Sequence, residues 1–406
     1  MICSMMFPPS GETETNKKMI IYLKKLLPFL CFIPVCGSSQ DKPVVKFGGA
    51  LRFNYIYSSW KEEQKKQGGD LMYDMFRINA EASYRGISLN AEYRLYSDAF
   101  GGGVLKQGWL AYDFDEKNSI QAGLTQVPFG IQQYNSHNWF FNIGYYIGLE
   151  DDHDIGVKFI HEQEEGWQYQ VAFFKNSESI AFGGATDVSH SRYSYDVASM
   201  DVDGDGEPDY RNKEVNQLNL KVYYKLKHRE FRHQFGGYTQ YGGLYNLDTQ
   251  KTGHHYGYGL FYELDYQAFN LKSQLLHYTK APENPDTERP DIMAMAAYGA
   301  PYLVAARADL VSLAVAYTVP VSWGPVSLLQ FYNDFGCIRK LKKDFSDSYM
   351  NVTGVGVAAG NLYTYIDFAA GKNHSWLGGN FIDDFAGGTP DAGWEARFNI
   401  NIGYYF

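Results

Sequence analysis

Phe76-Arg77-Ile78-Asn79-Ala80-Glu81-Ala82-Ser83-Tyr84-Arg85-Gly86-Ile87-Ser88-Leu89-Asn90-Ala91-Glu92-Tyr93-Arg94-Leu95 alternates apolar and polar on both sides of Arg85. A period of two puts Phe76, Ile78, Ala80, Ala82 and Tyr84 on one face of a strand and Arg77, Asn79, Glu81 and Ser83 on the other. The same holds for Ile87, Leu89, Ala91, Tyr93 and Leu95 against Ser88, Asn90, Glu92 and Arg94. Two strands of about ten residues joined by so tight a turn form a hairpin with one oily and one wet face. A soluble sandwich alternates in the same way, so the connections must decide between the two.

Working outward, the pattern predicts sixteen strands, near 45–58, 71–84, 86–97, 105–113, 118–126, 154–163, 166–175, 215–226, 230–241, 255–266, 269–279, 307–319, 324–333, 350–359, 361–369 and 394–406. Tight connectors at Arg85, Asp115–Lys117, Glu164–Glu165, Lys227–Arg229 and Gln267–Ala268 take turns with long ones at 59–70, 98–104, 127–153, 176–214, 242–254, 280–306, 334–349 and 370–393. Short turns at one end and long loops at the other are the signature of a transmembrane antiparallel β-barrel, and a sandwich has no reason to sort its loops so. The expected fold is therefore all-β, with short periplasmic turns and long external loops. The final stretch, Ala396 to Phe406, alternates again and ends on an aromatic. It resembles the C-terminal strand by which the barrel-assembly machinery recognises its clients.

Composition agrees. Aromatic residues make up 17% of the chain, with 34 Tyr and 27 Phe, and Gly reaches 41. Mean hydropathy is only −0.37. That combination suits strands with one lipid face, not helical spans of about 20 apolar residues. Three of the four cysteines, Cys3, Cys31 and Cys36, fall before residue 40, leaving Cys337 without an intramolecular disulfide partner.

Residues 19–39 read as a signal peptide: Lys24 and Lys25 form a basic start, Leu26 to Cys36 an apolar stretch too short to span a bilayer, and Gly37 and Ser39 a small-residue cleavage site. Residues 1–18 are polar and read as an upstream extension, with Met19 the better start. Residues 40–406 are expected to form a single barrel domain in the outer membrane of a Gram-negative cell. Residues 1–39 carry four lysines and two glutamates, so the remainder has a net charge of −12. Such acidity argues against a nucleic-acid partner.

Gln121-Ala122-Gly123-Leu124-Thr125-Gln126-Val127-Pro128-Phe129-Gly130, then Trp139, then Gly148-Leu149-Glu150-Asp151-Asp152-His153-Asp154-Ile155-Gly156-Val157-Lys158 is similar to the phosphate-selective porin O and P family. In that family a G-x-x-x-x-P-F-G strand end opens the loop after strand 5 and a D-x-G element opens strand 6. The resemblance implies sixteen strands, a homotrimer and a third external loop folded into the lumen. It does not carry phosphate selectivity, because no dense lumenal ladder of Arg and Lys can be matched here.

A lumen of this size is water-filled and needs a constriction. Residues 127–153 hold Phe129, Trp139, Phe140, Phe141, Tyr145 and Tyr146, an apolar surface costly to leave in water. They are expected to fold inward and to carry Glu150, Asp151, Asp152 and Asp154 with them. Strand parity points Arg52, Arg77, Arg94, Arg397 and Lys158 at the lumen, along with Lys221, Glu81 and Glu92. Acids on the loop opposite a basic wall would give a transverse field that sorts solutes by charge. The plainer alternative is that these charges pair among themselves and stiffen the barrel.

Asp201-Val202-Asp203-Gly204-Asp205-Gly206-Glu207-Pro208-Asp209 resembles the opening of a calcium loop, with Asp201, Asp203, Asp205 and Asp209 as candidate ligands. Position twelve is Asn212, so the usual bidentate carboxylate is missing there. No other cofactor is expected. The histidines show no catalytic or metal spacing, and no enzyme activity is expected. The function these readings support is passive diffusion of small hydrophilic solutes or ions. The alternative is a non-channel barrel in outer-membrane lipid, acting as a surface adhesin or a lipid hydrolase.

Overall fold

A computed structural model describes residues 42–406 apart from 179–191, 203, 205, 207 and 286–288. The expected extension 1–18 and signal peptide 19–39 lie outside the described residues, as do Asp203 and Asp205.

The chain runs through β1 (Val44–Ser58), helix α1 (Glu62–Gln67), β2 (Asp70–Tyr84), β3 (Ile87–Leu95), β4 (Gly103–Asp113), β5 (Asn118–Gln126), β6 (His153–His161) and β7 (Gly166–Ser177). It continues through β8 (Asp196–Val197), β9 (Asn212–His228), β10 (Phe231–Asn246), β11 (Thr252–Tyr266), β12 (Phe269–Ala281), β13 (Ile292–Ala297) and β14 (Ala300–Ala305). Last come β15 (Arg307–Trp323), β16 (Val326–Lys340), β17 (Ser348–Ala359), β18 (Leu362–Lys372) and β19 (Glu395–Tyr405). All but β8, β13 and β14 form one closed antiparallel barrel of sixteen strands. Each of the sixteen overlaps a span expected from the alternation.

Closure is made by β1 against β19, in register from Ala50↔Tyr405 to Ser58↔Arg397. The terminal residue joins it: Gly49 N–H donates to Phe406 O at 2.8 Å and Phe406 N–H to Gly49 O at 3.1 Å. Closing the sheet leaves no edge whose backbone groups lipid would have to satisfy. Outward parity positions are large and apolar, among them Phe47, Leu71, Leu110, Leu260, Leu275 and Phe368, all more than half exposed. A belt of that extent is a membrane-facing surface. Among the described residues no helix is long and apolar enough to cross a membrane.

Two expectations about connectors are corrected. The expected loops 242–254 and 334–349 shrink to 247–251 and 341–347, because β10, β11 and β16 keep pairing past the apolar belt. Segments expected as external connectors, 176–214 and 280–306, supply β8, β13 and β14, which pair into a second small sheet. Every residue of β13 is at most 3% exposed. Val304 bridges Phe385, so the loop after β18 joins this layer. The barrel interior is thus packed by several loops. Tyr145, Tyr146, Tyr193, Tyr195, Tyr302 and Phe385 belong to one buried cluster that also includes Ala172, Tyr238 and Leu310 of the wall.

Candidate functional site

The chain leaves β5 at Gln126 and returns at His153, and what lies between crosses the lumen. Lys158 of β6 donates to Gln126 O at 2.7 Å, Lys221 of β9 to Gln132 Oε1 at 3.0 Å, and Lys272 of β12 to Tyr134 O at 2.7 Å. Further along, His137 N–H donates to Asp334 of β16 at 2.7 Å, the His137 ring contacts the other oxygen of that carboxylate at 2.9 Å, and the Asn138 amide donates to it at 2.6 Å. Trp139 N–H reaches Asp367 of β18 at 3.3 Å. Loop residues 127–152 therefore fold into the barrel and are held by strands on both sides of it. The lysines answer backbone and amide oxygens that would otherwise be buried unpaired.

Two glycines make the passage possible. Gly130 sits at φ +65°, and a Cβ there would meet Gln274 Oε1 at 2.5 Å. On the facing wall, a Cβ on Gly336 would meet Asn142 Oδ1 at 2.3 Å. Only glycine leaves room for backbone and loop to approach so closely.

The expected arginines lie on the inner faces of adjacent strands β19, β1, β2 and β3. Arg52 Nε is 2.8 Å from Asp74. Arg77 and Arg94 are cross-strand partners and share Glu92, at 3.5 and 2.6 Å. Asp74 and Glu92 thus answer three of the four guanidiniums, and Arg397 lies within the field of Asp74 and Asp367. The arginines differ in access to water: the side chain of Arg77 is 25% exposed, that of Arg52 17% and that of Arg94 only 7%. Arg94 lies over the Tyr193 ring, 4.6 Å from its centroid, and Arg397 lies 5.1 Å from the Phe140 centroid, so both pack against the infolded segments.

The loop acids are placed differently from the arginines. Glu150, Asp151, Asp152 and Asp154 are all at most 8% exposed. Glu150 accepts Asn135 N–H at 2.9 Å and Asn142 N–H at 3.3 Å, tying the loop to itself, and burial pushes its carboxyl up to about 8. Asp151 pairs with Lys106 of β4 at 2.9 Å and accepts from Gln126 and the Tyr193 hydroxyl. Asp152 and Asp154 turn toward Asp196 of β8. These acids face packed side chains, not an open gap across from the arginines. In the stretch 201–209, the Asp201 carboxylate accepts from Gly204 N–H at 2.6 Å and Gly206 N–H at 2.9 Å, and Asp209 from Val202 N–H at 2.6 Å.

Sequence reasoning missed Lys106, Lys272, Asp334, Asp367 and Asp196. Parity places the first four inside. Nothing local in the sequence couples them to a loop that lies from about forty to more than two hundred residues away.

Against solved structures, the barrel superposes on the outer-membrane channel DcaP of Acinetobacter baumannii with a TM-score of 0.56, at 10% identity, covering 92% of this chain and 99% of that one. It matches the anion-selective porin of Comamonas acidovorans with a TM-score of 0.54, at 12% identity, covering 90% and 100%. A loop-deletion form of OmpT, an outer membrane protein of Vibrio cholerae, gives 0.52 at 14% identity, covering 90% and 99%. The barrel has the porin fold. No protein-family model matches the chain, and no curated protein matches it either. At these identities the likeness is one of fold, and within the porin fold this chain's own residues must carry the functional argument.

Proposed function

We propose that this protein is an outer-membrane porin giving passive diffusion of small hydrophilic solutes or ions. The observation that carries the reading is the crossing of a closed sixteen-strand barrel by loop residues 127–152, pinned to the inner wall while Arg77 and Arg52 keep contact with water. In this reading Arg52 and Arg77, balanced by Asp74 and Glu92, line the path and bias it by charge. Arg94, Arg397, Lys158, Glu150, Asp151, Asp152 and Asp154 hold the loop that sets its width. Planar-bilayer recording under asymmetric salt tests this. Discrete conductance steps with a non-zero reversal potential are expected, and a silent, correctly folded barrel would refute it.

The finer family reading, a porin of the phosphate-selective O and P type, is supported by the Pro128-Phe129-Gly130 exit into an infolded loop. The lumenal lysines are engaged with that loop, so phosphate selectivity is not part of the proposal. A homotrimer is supported by the outer wall, where Asn333 donates to Asn351 at 3.1 Å and to Thr353 at 2.7 Å. Such a polar group suits a neighbouring protein better than lipid. Export through a cleaved leader and insertion by the assembly machinery follow from the same reading. The 201–209 turn is proposed as an external calcium loop.

A lipid hydrolase is favoured by one constellation. On the outer wall, His277 Nδ1 lies 2.7 Å from Asp309 and Nε2 lies 3.1 Å from the Thr279 hydroxyl. This is the orienter, base and hydroxyl order of a hydrolase relay. Fatty-acid release from mixed micelles, abolished by His277→Ala, would establish it, and the porin reading expects none.

A further inference from the structure

The infolded loop ends beside three carboxylates from two separate segments. Asp152 closes the loop, Asp154 opens β6 and Asp196 lies in β8, and one oxygen from each falls within 4.8 Å of the others. Two oxygens bound at about 2.4 Å to one calcium ion cannot be more than about 4.8 Å apart, so the spacing admits a shared ion. All three residues are at least nine-tenths buried. Oδ1 of Asp152, Oδ1 of Asp154 and Oδ2 of Asp196 accept no hydrogen bond from any described residue. Buried oxygens are normally satisfied, and each of the three residues that share this spacing keeps one carboxylate oxygen that a cation could answer.

The surroundings do not supply enough charge. Arg192 Nη1 stands 3.7 Å from Asp196 Oδ2, within ion-pair range but beyond hydrogen-bond reach, and donates to the Ser177 hydroxyl, while Nη2 donates to Val197 O. Lys280 is taken by Glu214 at 2.8 Å. Glu214, hydrogen-bonded to Asp196, adds its own negative charge to the cluster. Two cations thus face four acids. Gln217 donates to the other oxygen of Asp154 at 3.3 Å, and Ser194, beside Asp196, accepts from His153 N–H at 3.0 Å. His255 lies next to Glu214.

We propose that Asp152, Asp154 and Asp196 bind a divalent cation, calcium, inside the barrel. The ligands are all hard oxygens, which selects against zinc and copper. Three carboxylates from separate segments offer the adaptable cage that calcium accepts, whereas magnesium demands near-ideal octahedral geometry and keeps its waters. The ion clamps the end of the infolded loop to β8, and so holds the loop and the inner layer together.

This site is distinct from the 201–209 turn, and the test separates them. The full chain carrying Asp201→Asn, purified in detergent and stripped with chelator, is titrated with calcium by calorimetry. One equivalent is expected to bind. Adding Asp152→Asn and Asp196→Asn is expected to abolish the heat while the barrel keeps its heat-modifiable gel migration. A second measurement does not depend on how the double variant folds. Calcium is expected to raise the thermal midpoint of the Asp201→Asn chain by several degrees. An Asp201→Asn chain that takes up no calcium, a midpoint that does not move, or uptake that survives the two further substitutions would each overturn the proposal.

Discussion

Lys106 and Asp151, 45 residues apart in sequence, form a 2.9 Å ion pair whose side chains are 6% and 2% exposed, and this pair joins the wall at β4 to the end of the infolded loop. The Lys106 ammonium also lies 4.7 Å from the centroid of Tyr193, whose hydroxyl donates to the same Asp151. Removing one partner of such a pair leaves the other charge buried and unanswered, at a cost of about 3–5 kcal/mol. Lys106→Met is therefore expected to destabilise the barrel by that order. Asp151→Asn, which keeps acceptor and donor capacity, is expected to cost less. Guanidinium unfolding in micelles, followed by tryptophan fluorescence, gives both numbers. Equal costs would mean that the unpaired charge alone sets the loss and that the hydrogen bonding Asn retains contributes nothing.

The far side of the loop is held by Asp334, which takes His137 N–H, the His137 ring and the Asn138 amide. These three contacts concern only the loop, because the barrel ladder at Asp334 runs through its backbone to Ala314 and Val352. Asp334→Ala is thus expected to leave the barrel folded while freeing the loop's middle. Single-channel conductance should rise, with noisier open states. Unchanged conductance in a folded variant would show that the loop does not limit the path.

Much of the barrel was legible in the sequence because lipid on one side and water on the other force a period of two on every strand. Arg52 between Leu51 and Phe53, or Arg94 between Tyr93 and Leu95, declares its face without further information. The inner layer was not legible for the complementary reason. Ile292-Met293-Ala294-Met295-Ala296-Ala297 is buried on both faces, so it has no alternation to read. The cost of leaving apolar surface in water, which pointed residues 127–153 inward, applies to this run as well, and applying it there would have placed β13 inside. Glu150 and Asp152 lie in the infolded loop, buried. Their burial depends on Asn135, Asn142 and β8, partners that no local pattern names.

Arg77 and Arg94 share Glu92 yet should respond differently to mutation. Arg77 keeps a quarter of its side chain in water, so its charge acts on passing ions. Arg94 is packed under Tyr193. Arg77→Ala is expected to move the reversal potential toward cation preference with less effect on stability than Arg94→Ala, because its contact with Glu92 is the longer of the two, at 3.5 Å. Arg94→Ala is expected to lower stability more and to leave Glu92 unbalanced. Reversal potentials under a tenfold salt gradient, set beside unfolding midpoints, separate the two. The assignment fails if Arg77→Ala leaves selectivity unaltered.

Glu150 links stability to pH in an unusual direction. Burial pushes its carboxyl from 4.5 to about 8, so the folded protein keeps this proton over a range where the unfolded chain has lost it. Where the native state binds more protons, stability falls as pH rises. The contribution is complete below about pH 4.5 and is lost as pH climbs through about 8. The span bounds the effect at about 5 kcal/mol, an upper limit because relaxation around the ionised group reduces it. Glu178, also pushed up to about 8 by burial, acts in the same sense. Glu150→Gln carries no titrating proton and still offers an oxygen to Asn135 and Asn142. Wild type is therefore expected to lose stability between pH 5 and pH 9, and the variant to lose distinctly less, with Glu178 accounting for part of the slope that remains. Chemical unfolding at the two pH values decides it, since a wild-type-minus-variant difference that is the same at both would mean that Glu150 does not hold a proton in the folded barrel.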